Sequence, residues 1–432
     1  MDNRSKSEQV VKGLKSLSNF LEHSLRRNLY EFNPEKPWLP LMVPSYSSDE
    51  VLEAIDTLLS TNVTMGEKVF KFEEAFASYI GSRNAVMVNS GSSANLVALS
   101  TLTNPMMGGN LKAGFEAAIP AVTWPTTMFP INNCNGIPVL TDVDSVTFNL
   151  TPESVDLALS KKTGLVVPVH LLGNPCDVNT IEARLPDEKI KIVEDSCEAH
   201  GAEIGGKKVG TFGDIGTFSF FFSHHISTIE GGMVVTDNEE YAEVARMLRA
   251  HGWIRELKRK DEYARRHYSI DHRFLFVSSG FNLRPTEIQG AFGIHQLGKL
   301  EKFIEARRSN ARFLSRRLKR YDSYIELQEE RPGTRHVWFG YPITLKEGAT
   351  FSRVDLVSFL EKRGIETRPI MGGNLADQPF MSFLHHRIAG PLRNAKRIMQ
   401  HSFFFGNHQS LGREALEYIV SCFEDFFSKV SR

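Results

Sequence analysis

The sequence predicts an α/β protein: a large domain on a mostly parallel sheet, followed by a smaller C-terminal α/β domain. Three observations predict it. From residue 85 onward, short apolar runs alternate with helical patterns, in AVMVN then SGSSANLVALSTL, AAIPAVTW, GIPVLTDVD, GLVVPVH and IKIVED; strands alternating with helices are the mark of parallel βα units. A long helical pattern follows GFNLRPTE and ends near Tyr321. Residues 336 to 431 then read strand, helix, strand, helix on a smaller scale. The boundaries that follow are an arm at 1–38, a large domain at 39–320 and a small domain at 321–432.

In chain order, residues 1–38 are polar, with apolar residues at helical spacing in VVKGLKSLSNFLEHSL, and end at Pro34 and Pro37. They read as an added helical arm that packs on a partner subunit. SSDEVLEAIDTLLS, residues 47–60, has a serine cap and acidic residues in its first turn, so it begins a helix. TMGEKVFKFEEAFASYIG gives a loop and a second helix. Later, the aromatic and β-branched run IGTFSFFF (215–222) predicts a buried strand and GGMVVTD (231–237) another, with Ser223, His224, His225 and Glu230 in the turn between them. The segment from His251 to Arg273 is polar and positively charged.

Composition narrows the function. With 41% hydrophobic residues in 432, the chain can bury a large core. Fifty-one Lys and Arg balance fifty-one Asp and Glu, so no global field favours nucleic acid or an acidic membrane, and binding must come from a local site. The polar N-terminus is unlike a signal peptide, and no apolar run reaches the ~18 residues a membrane span needs; the expectation is a cytoplasmic protein. Cys134, Cys176, Cys197 and Cys422 lack the spacing of a metal site, so no metal is expected.

Two motifs carry chemistry by themselves. NSGSSANL puts Gly91, Ser92 and Ser93 where a strand becomes a helix, and a helix N-terminus offers free N–H groups and partial positive charge to a phosphate. KIVED ends in Asp195, with Glu198 three residues on, placing two carboxyls at a strand end.

These motifs, with SHHISTIEGG and GFNLRPTEIQ, resemble the DegT/DnrJ/EryC1/StrS family, the sugar-modifying branch of the aspartate aminotransferase superfamily. The resemblance runs from about residue 40 to the end. It implies the fold-type I architecture of pyridoxal 5'-phosphate (PLP) enzymes. In that family an S-x-x-x-x-K-x-I-[ST]-x-x-E-G-G turn carries the lysine that binds the cofactor aldehyde. Aligned on Ser219, Ile226, Glu230, Gly231 and Gly232, the lysine position is His224. An imidazole moves protons but forms no stable imine, so transamination with a lysine-bound cofactor is not expected. In the family, histidine here marks nucleotide-sugar 3-dehydratases that use pyridoxamine 5'-phosphate (PMP) held without a covalent bond.

The same resemblance implies the remaining roles. Gly91, Ser92, Ser93 and Ser219 would meet the cofactor phosphate, Trp124 its ring face, and Asp195 its pyridine nitrogen; Glu198 stands where most family transaminases have Gln. Asn282 and Arg284 would reach phosphates across a homodimer interface. His251 and Arg255 match the glutamate-binding pair of the GDP-4-keto-6-deoxymannose 3-dehydratase branch, and Gly66, Glu67 and Glu366 match nucleotide-sugar contacts. The implied activity is removal of the C3 hydroxyl of a nucleotide-linked 4-keto-6-deoxyhexose, with L-glutamate regenerating PMP, for the dideoxysugars of surface polysaccharide. The alternatives are a reductase-coupled iron–sulfur 3-dehydrase, disfavoured because residues 251–274 hold no cysteine; a sugar aminotransferase, which needs a lysine at 224; and a non-catalytic binding module.

Overall fold

The structure is a computed structural model and describes residues 16–25, 29–107 and 111–430. The helical reading of residues 1–15 lies outside the described residues; residues 16–25 are helical.

The strands of the large sheet are β1 (Asn84–Val88), β2 (Glu116–Pro120), β3 (Ile137–Thr141), β4 (Thr163–Val166), β5 (Lys191–Asp195), β6 (Ile215–Ser219) and β7 (Gly232–Thr236). A later strand, β11 (Arg387–Ala389), completes an eight-stranded sheet in the order β1-β7-β6-β5-β4-β2-β3-β11. Only β7 runs against its neighbours. Strands β1, β2, β6 and β7 are buried along their whole length, as covering by helices on both faces requires. Helix Gly91–Thr103 (α3) lies across β6 and β7.

The strand ends differ from the sequence expectation. Strand β6 stops at Ser219 rather than running to residue 222, because the chain turns there: the Phe220 N–H donates to Gly231 O at 2.8 Å and its carbonyl accepts from Thr228 N–H at 3.0 Å. Strand β7 begins at Gly232, where a side chain would overlap the carbonyl of Ser90.

Helix α6 (Glu287–Leu318) spans 32 residues, about 48 Å, and ties the layers together. The Glu287 carboxylate accepts from the amides of Gly66 (2.7 Å) and Val69 (3.3 Å), and from Lys68, which caps helix Glu67–Ile80 (α2) with a group of matching charge. Helix Ser48–Ser60 (α1) is capped by Ser47 and Glu50 as its sequence predicts; Lys299 of α6 pairs with that buried Glu50.

The smaller sheet is antiparallel, in the order β8 (Ile325–Leu327), β9 (Gly340–Leu345), β12 (Ser402–Gly406) and β10 (Thr367–Pro369). Residues 29–41 lie on it: Leu39 bridges Ile365, and Phe32 meets Tyr418 at 5.3 Å. The C-terminal stretch is more than an alternation of strand and helix. Strand β11 (Arg387–Ala389) returns to the large sheet and pairs with β3 in parallel, drawn there by Arg387, which donates to Glu116 (2.7 Å) and to the Ala158 carbonyl. Among the described residues, no helix is long and apolar enough to cross a membrane.

Arg249 is the largest fully buried side chain that carries charge. It meets Glu73, Glu256 (3.1 Å) and the Met87 carbonyl (2.7 Å). Removing one member of a buried ion cluster leaves the others without a partner, typically at a cost of about 3–5 kcal/mol. Arg249→Leu is therefore expected to lower the denaturant midpoint by that amount of stability, read from urea unfolding with the slope unchanged.

Candidate active site

The C-terminal ends of β1, β5 and β6 bring most of the sequence-predicted residues to one place. Helix α3 starts there, with Ser90 as its cap: its hydroxyl accepts from the Ser93 amide at 3.1 Å and donates to the Ser93 hydroxyl at 2.9 Å. Ser93 is thus engaged in closing the turn, and Gly91 and Ser92 form its front. A Cβ on Gly91 would overlap the side chain of Ser219, so only glycine lets the helix start sit on the end of β6. The Ser92 hydroxyl donates to Thr126 at 3.0 Å, linking α3 to helix Pro125–Asn133 (α4), whose cap is Trp124. Trp124 is 55% exposed, an unusual state for a tryptophan and one that presents an indole face to a ligand.

Asp195 is 5% exposed at the end of β5. It accepts from Asn95 (2.9 Å), Thr127 (2.7 Å) and the Cys197 amide (3.2 Å). Sequence reading missed Asn95 and Thr127, although both stand in motifs it singled out, NSGSSANL and AVTWPTT. Thr217 then holds Asn95 at 2.6 Å. Glu198 accepts from the Leu172 amide at 2.7 Å, and burial pushes its carboxyl up to about 8.

His224 sits in the turn after β6, its amide bonded to the Phe221 carbonyl at 3.0 Å. Its ring is edge-on to Phe339 (5.3 Å between centroids) and to Phe221 (6.2 Å). Desolvation by these neighbours, with the Arg307 charge behind them, brings its imidazole down to about 3. The ring is neutral at pH 7, as a base requires. The back of the turn is fixed by Gln296 of α6, which accepts from the Ser227 amide at 3.0 Å and donates to Glu50 at 2.7 Å. His225, adjacent in sequence, points away: it is fully buried and meets the Val337 carbonyl at 3.1 Å.

The other predicted residues lie elsewhere. Arg255, Asn282 and Arg284 line a separate cleft of about 510 Å³ with Phe70, Glu256 and Thr286. Arg284 donates twice to Asn282 (3.1 and 3.0 Å), and Arg255 lies 5.2 Å from the Trp253 ring centre. His251 has left-handed backbone (φ 65°) and bonds the Phe281 carbonyl at 2.7 Å, without lining that cleft. Gly66 has its amide on Glu287, and Glu67 pairs with Lys71 at 2.6 Å. Glu366 holds the segment that enters the small domain, accepting from Trp38 (3.3 Å) and the Leu41 amide (3.2 Å).

A helix start capped by Ser90, a buried carboxylate and an exposed indole thus stand together at the ends of parallel strands. A sequence model of the DegT/DnrJ/EryC1/StrS aminotransferase family matches residues 44–424. The chain belongs to this family. It is 41% identical to the GDP-4-keto-6-deoxy-D-mannose 3-dehydratase of Yersinia pseudotuberculosis over 375 residues, 86% of this chain and 94% of that protein. It is also 36% identical to the lipopolysaccharide biosynthesis protein RfbH of Salmonella typhimurium over 386 residues, 86% and 88% of the two chains. Among solved structures, a GDP-4-keto-6-deoxymannose-3-dehydratase with a trapped PLP–glutamate geminal diamine superimposes with a TM-score of 0.84 at 36% identity, covering 89% of this chain and 99% of that one. The fold expected from sequence, the large mostly parallel sheet of the PLP-dependent aminotransferase fold, is the observed one.

Burial sets the pH response of this family member. His200, His225 and His336 are fully buried and held well below the usual histidine range, chiefly by desolvation. The unfolded chain binds protons at these positions first, so stability falls as pH drops below about 6.5, by about 1.4 kcal/mol per pH unit for each histidine. Glu198 acts in the opposite sense: the unfolded carboxyl ionises above its ordinary value of 4.5 while the folded one resists to about 8, so its contribution is lost as pH rises between them. Urea midpoints measured from pH 7 to pH 5 are expected to decline steeply, and Glu198→Gln should steepen that acid decline, because it removes a group whose stabilisation grows as pH falls.

Proposed function

We propose that this protein is a PLP/PMP-dependent 3-dehydratase of a nucleotide-linked 4-keto-6-deoxyhexose, with GDP-4-keto-6-deoxymannose as substrate and L-glutamate as amino donor. The observation that carries the reading is His224, a neutral imidazole at the turn where the family's aminotransferases have lysine. The similarity to named 3-dehydratases and to a structure holding PLP and glutamate supports the same chemistry, and the similarity to a lipopolysaccharide biosynthesis protein supports a role in surface-polysaccharide sugars.

The residues present fit the cofactor: the packing of Gly91 on Ser219 brings the start of α3 and the Ser219 hydroxyl together as donors for a phosphate, and the network around Asp195 holds a carboxylate for a ring nitrogen. When bound, the cofactor supplies an amine for the C4 ketone and an aromatic ring that accepts the electrons released at its methylene carbon. Asp195 keeps the ring nitrogen protonated, which makes that acceptance favourable. Glu198, whose carboxyl burial pushes up, would hydrogen-bond the ring's polar edge. His224 takes the methylene proton on its neutral imidazole and returns a proton to the departing C3 hydroxyl, so that water leaves. Phe221 and Phe339 keep bulk water from its ring. Trp124 covers the ring face.

The cleft holding Arg255, Asn282 and Arg284 is lined by none of these residues, which supports a homodimer whose subunits lend these cations to each other's sites. A guanidinium fork suits both a diphosphate and the carboxylate of glutamate.

Mass spectrometry of GDP-4-keto-6-deoxymannose incubated with enzyme, PLP and glutamate is expected to show a 3-deoxy product. Borohydride reduction followed by denaturation should leave wild type unlabelled by the phosphopyridoxyl group, whereas His224→Lys should be labelled at residue 224 and lose dehydration. For the shared site, mixing exchangeable His224→Ala and Arg284→Ala subunits should restore activity toward half of wild type, since each heterodimer has one site with both defects and one with neither; heterodimers that stay inactive would place Arg284 in its own subunit's site or in none.

A further inference from the structure

A histidine acts as a base at one ring nitrogen only if the other carries the proton, and that tautomer is fixed by what the second nitrogen donates to. In His224 the second nitrogen is Nδ1. It is buried and makes no hydrogen bond within the protein. Three rings surround the imidazole: Phe221, Phe339 and His200. The two phenylalanines accept no conventional hydrogen bond. Arg307, the charged group that acts on it, has donors only. His200 is the one ring of the three that can accept.

His200 is itself unusual. It is fully buried among Phe76 (6.5 Å), Phe218 (5.5 Å), Phe220 (5.5 Å) and His225 (5.6 Å), whose own Nε2 meets the Val337 carbonyl, and neither of the His200 ring nitrogens completes a hydrogen bond. A buried imidazole without partners calls for an explanation, a bound water among them. The polar backbone group acting on it is Ser219, which accepts. A His200 that turns its N–H toward Ser219 offers its other nitrogen as an acceptor.

The spacing selects how the two histidines communicate. Directly bonded imidazoles, with N···N near 2.9 Å, have centroids about 5 Å apart. The His200 and His224 centroids are 6.2 Å apart, tilted by 59°: too far for a direct bond and suited to a bent bridge through one water. We propose that His200 is a positioning residue for the dehydration, holding His224 in the Nδ1–H tautomer through a buried water so that Nε2 keeps its lone pair for the substrate side. His200 plays the part that a carboxylate plays behind many catalytic histidines, without a second charge in an apolar pocket. The inference rests on His224 being the base.

The test uses the holoenzyme with 15N-labelled histidine. The His224 signal, assigned by its loss in His224→Asn, should show the Nδ1–H tautomer in wild type and a mixture in His200→Phe. The same variant should lower kcat for dehydration by about 10–100-fold with KM for the sugar nucleotide unchanged, and His200→Gln, whose carbonyl can accept, should recover most of that loss. Wild-type His224 in the Nε2–H form overturns the proposal even if His200→Phe does not fold. So does a wild-type kcat in a folded His200→Phe. Dehydration that persists in His224→Asn would sink the assignment of the base itself; an inactive His224→Asn beside a fully active His200→Phe would sink only the role of His200.

Discussion

The site depends on a steric constraint: two stretches of backbone approach so closely that no side chain fits between them. Gly91 rests on Ser219, and Gly232 rests on the carbonyl of Ser90. These contacts fix the start of α3 against the end of β6 and the beginning of β7. The turn that starts α3 and the turn carrying His224 are therefore joined as one unit. Two glycines give up side-chain packing to make it so. The segment between Ser219 and the histidine is short, and the pairing of Phe220 with Gly231 and Thr228 allows the turn little freedom.

Behind that unit a buried guanidinium and aromatic rings keep the imidazole of His224 neutral. His200, His224, His225 and His408 surround Arg307, whose guanidinium bonds the carbonyls of Phe339 (2.9 Å) and Asn407 (2.6 Å). Each imidazole is neutral because the aromatic surroundings desolvate it and a fixed cation already occupies the neighbourhood. A lysine in place of His224 would bring an ammonium into the field of Arg307. The departure from the family's aminotransferase pattern is thus consistent with its surroundings. The carboxyls divide in a related way: Asp195 is given three donors, whereas Glu198 has one backbone donor and burial pushes its carboxyl up.

Charged groups that a ligand would need at its outer end are spread over other elements. Arg255, Asn282 and Arg284 share a cleft of their own. Gly66 and Glu366, matched from sequence to nucleotide-sugar contacts, have structural partners within the chain: Glu287 for the first, Trp38 and Leu41 for the second. An amide already bonded to a carboxylate is a weak anion site, so the helix start at Gly66 serves the joint between α2 and α6.

The parallel sheet, the capped α1, the long α6 and the chemistry at residue 224 were legible in the sequence, since each rests on local pattern: periodicity, cap residues, or one residue type at a fixed distance from Ser219 and the glycine pair. Asp195 and Glu198 were legible as a strand-end pair, but not their different hydrogen-bond partners, which come from Asn95, Thr127 and Leu172 in three other segments. The return of Arg387–Ala389 to the large sheet was not legible, because a three-residue strand carries almost no periodic signal and is selected by its partners Glu116 and β3. The sequence by itself determined the fold family, the replacement of lysine by histidine and hence the kind of proton chemistry available. Tertiary structure decided which charges are expressed, what stands behind His224, and which predicted contacts are already engaged, because burial and hydrogen-bond partners come from residues distant in the chain.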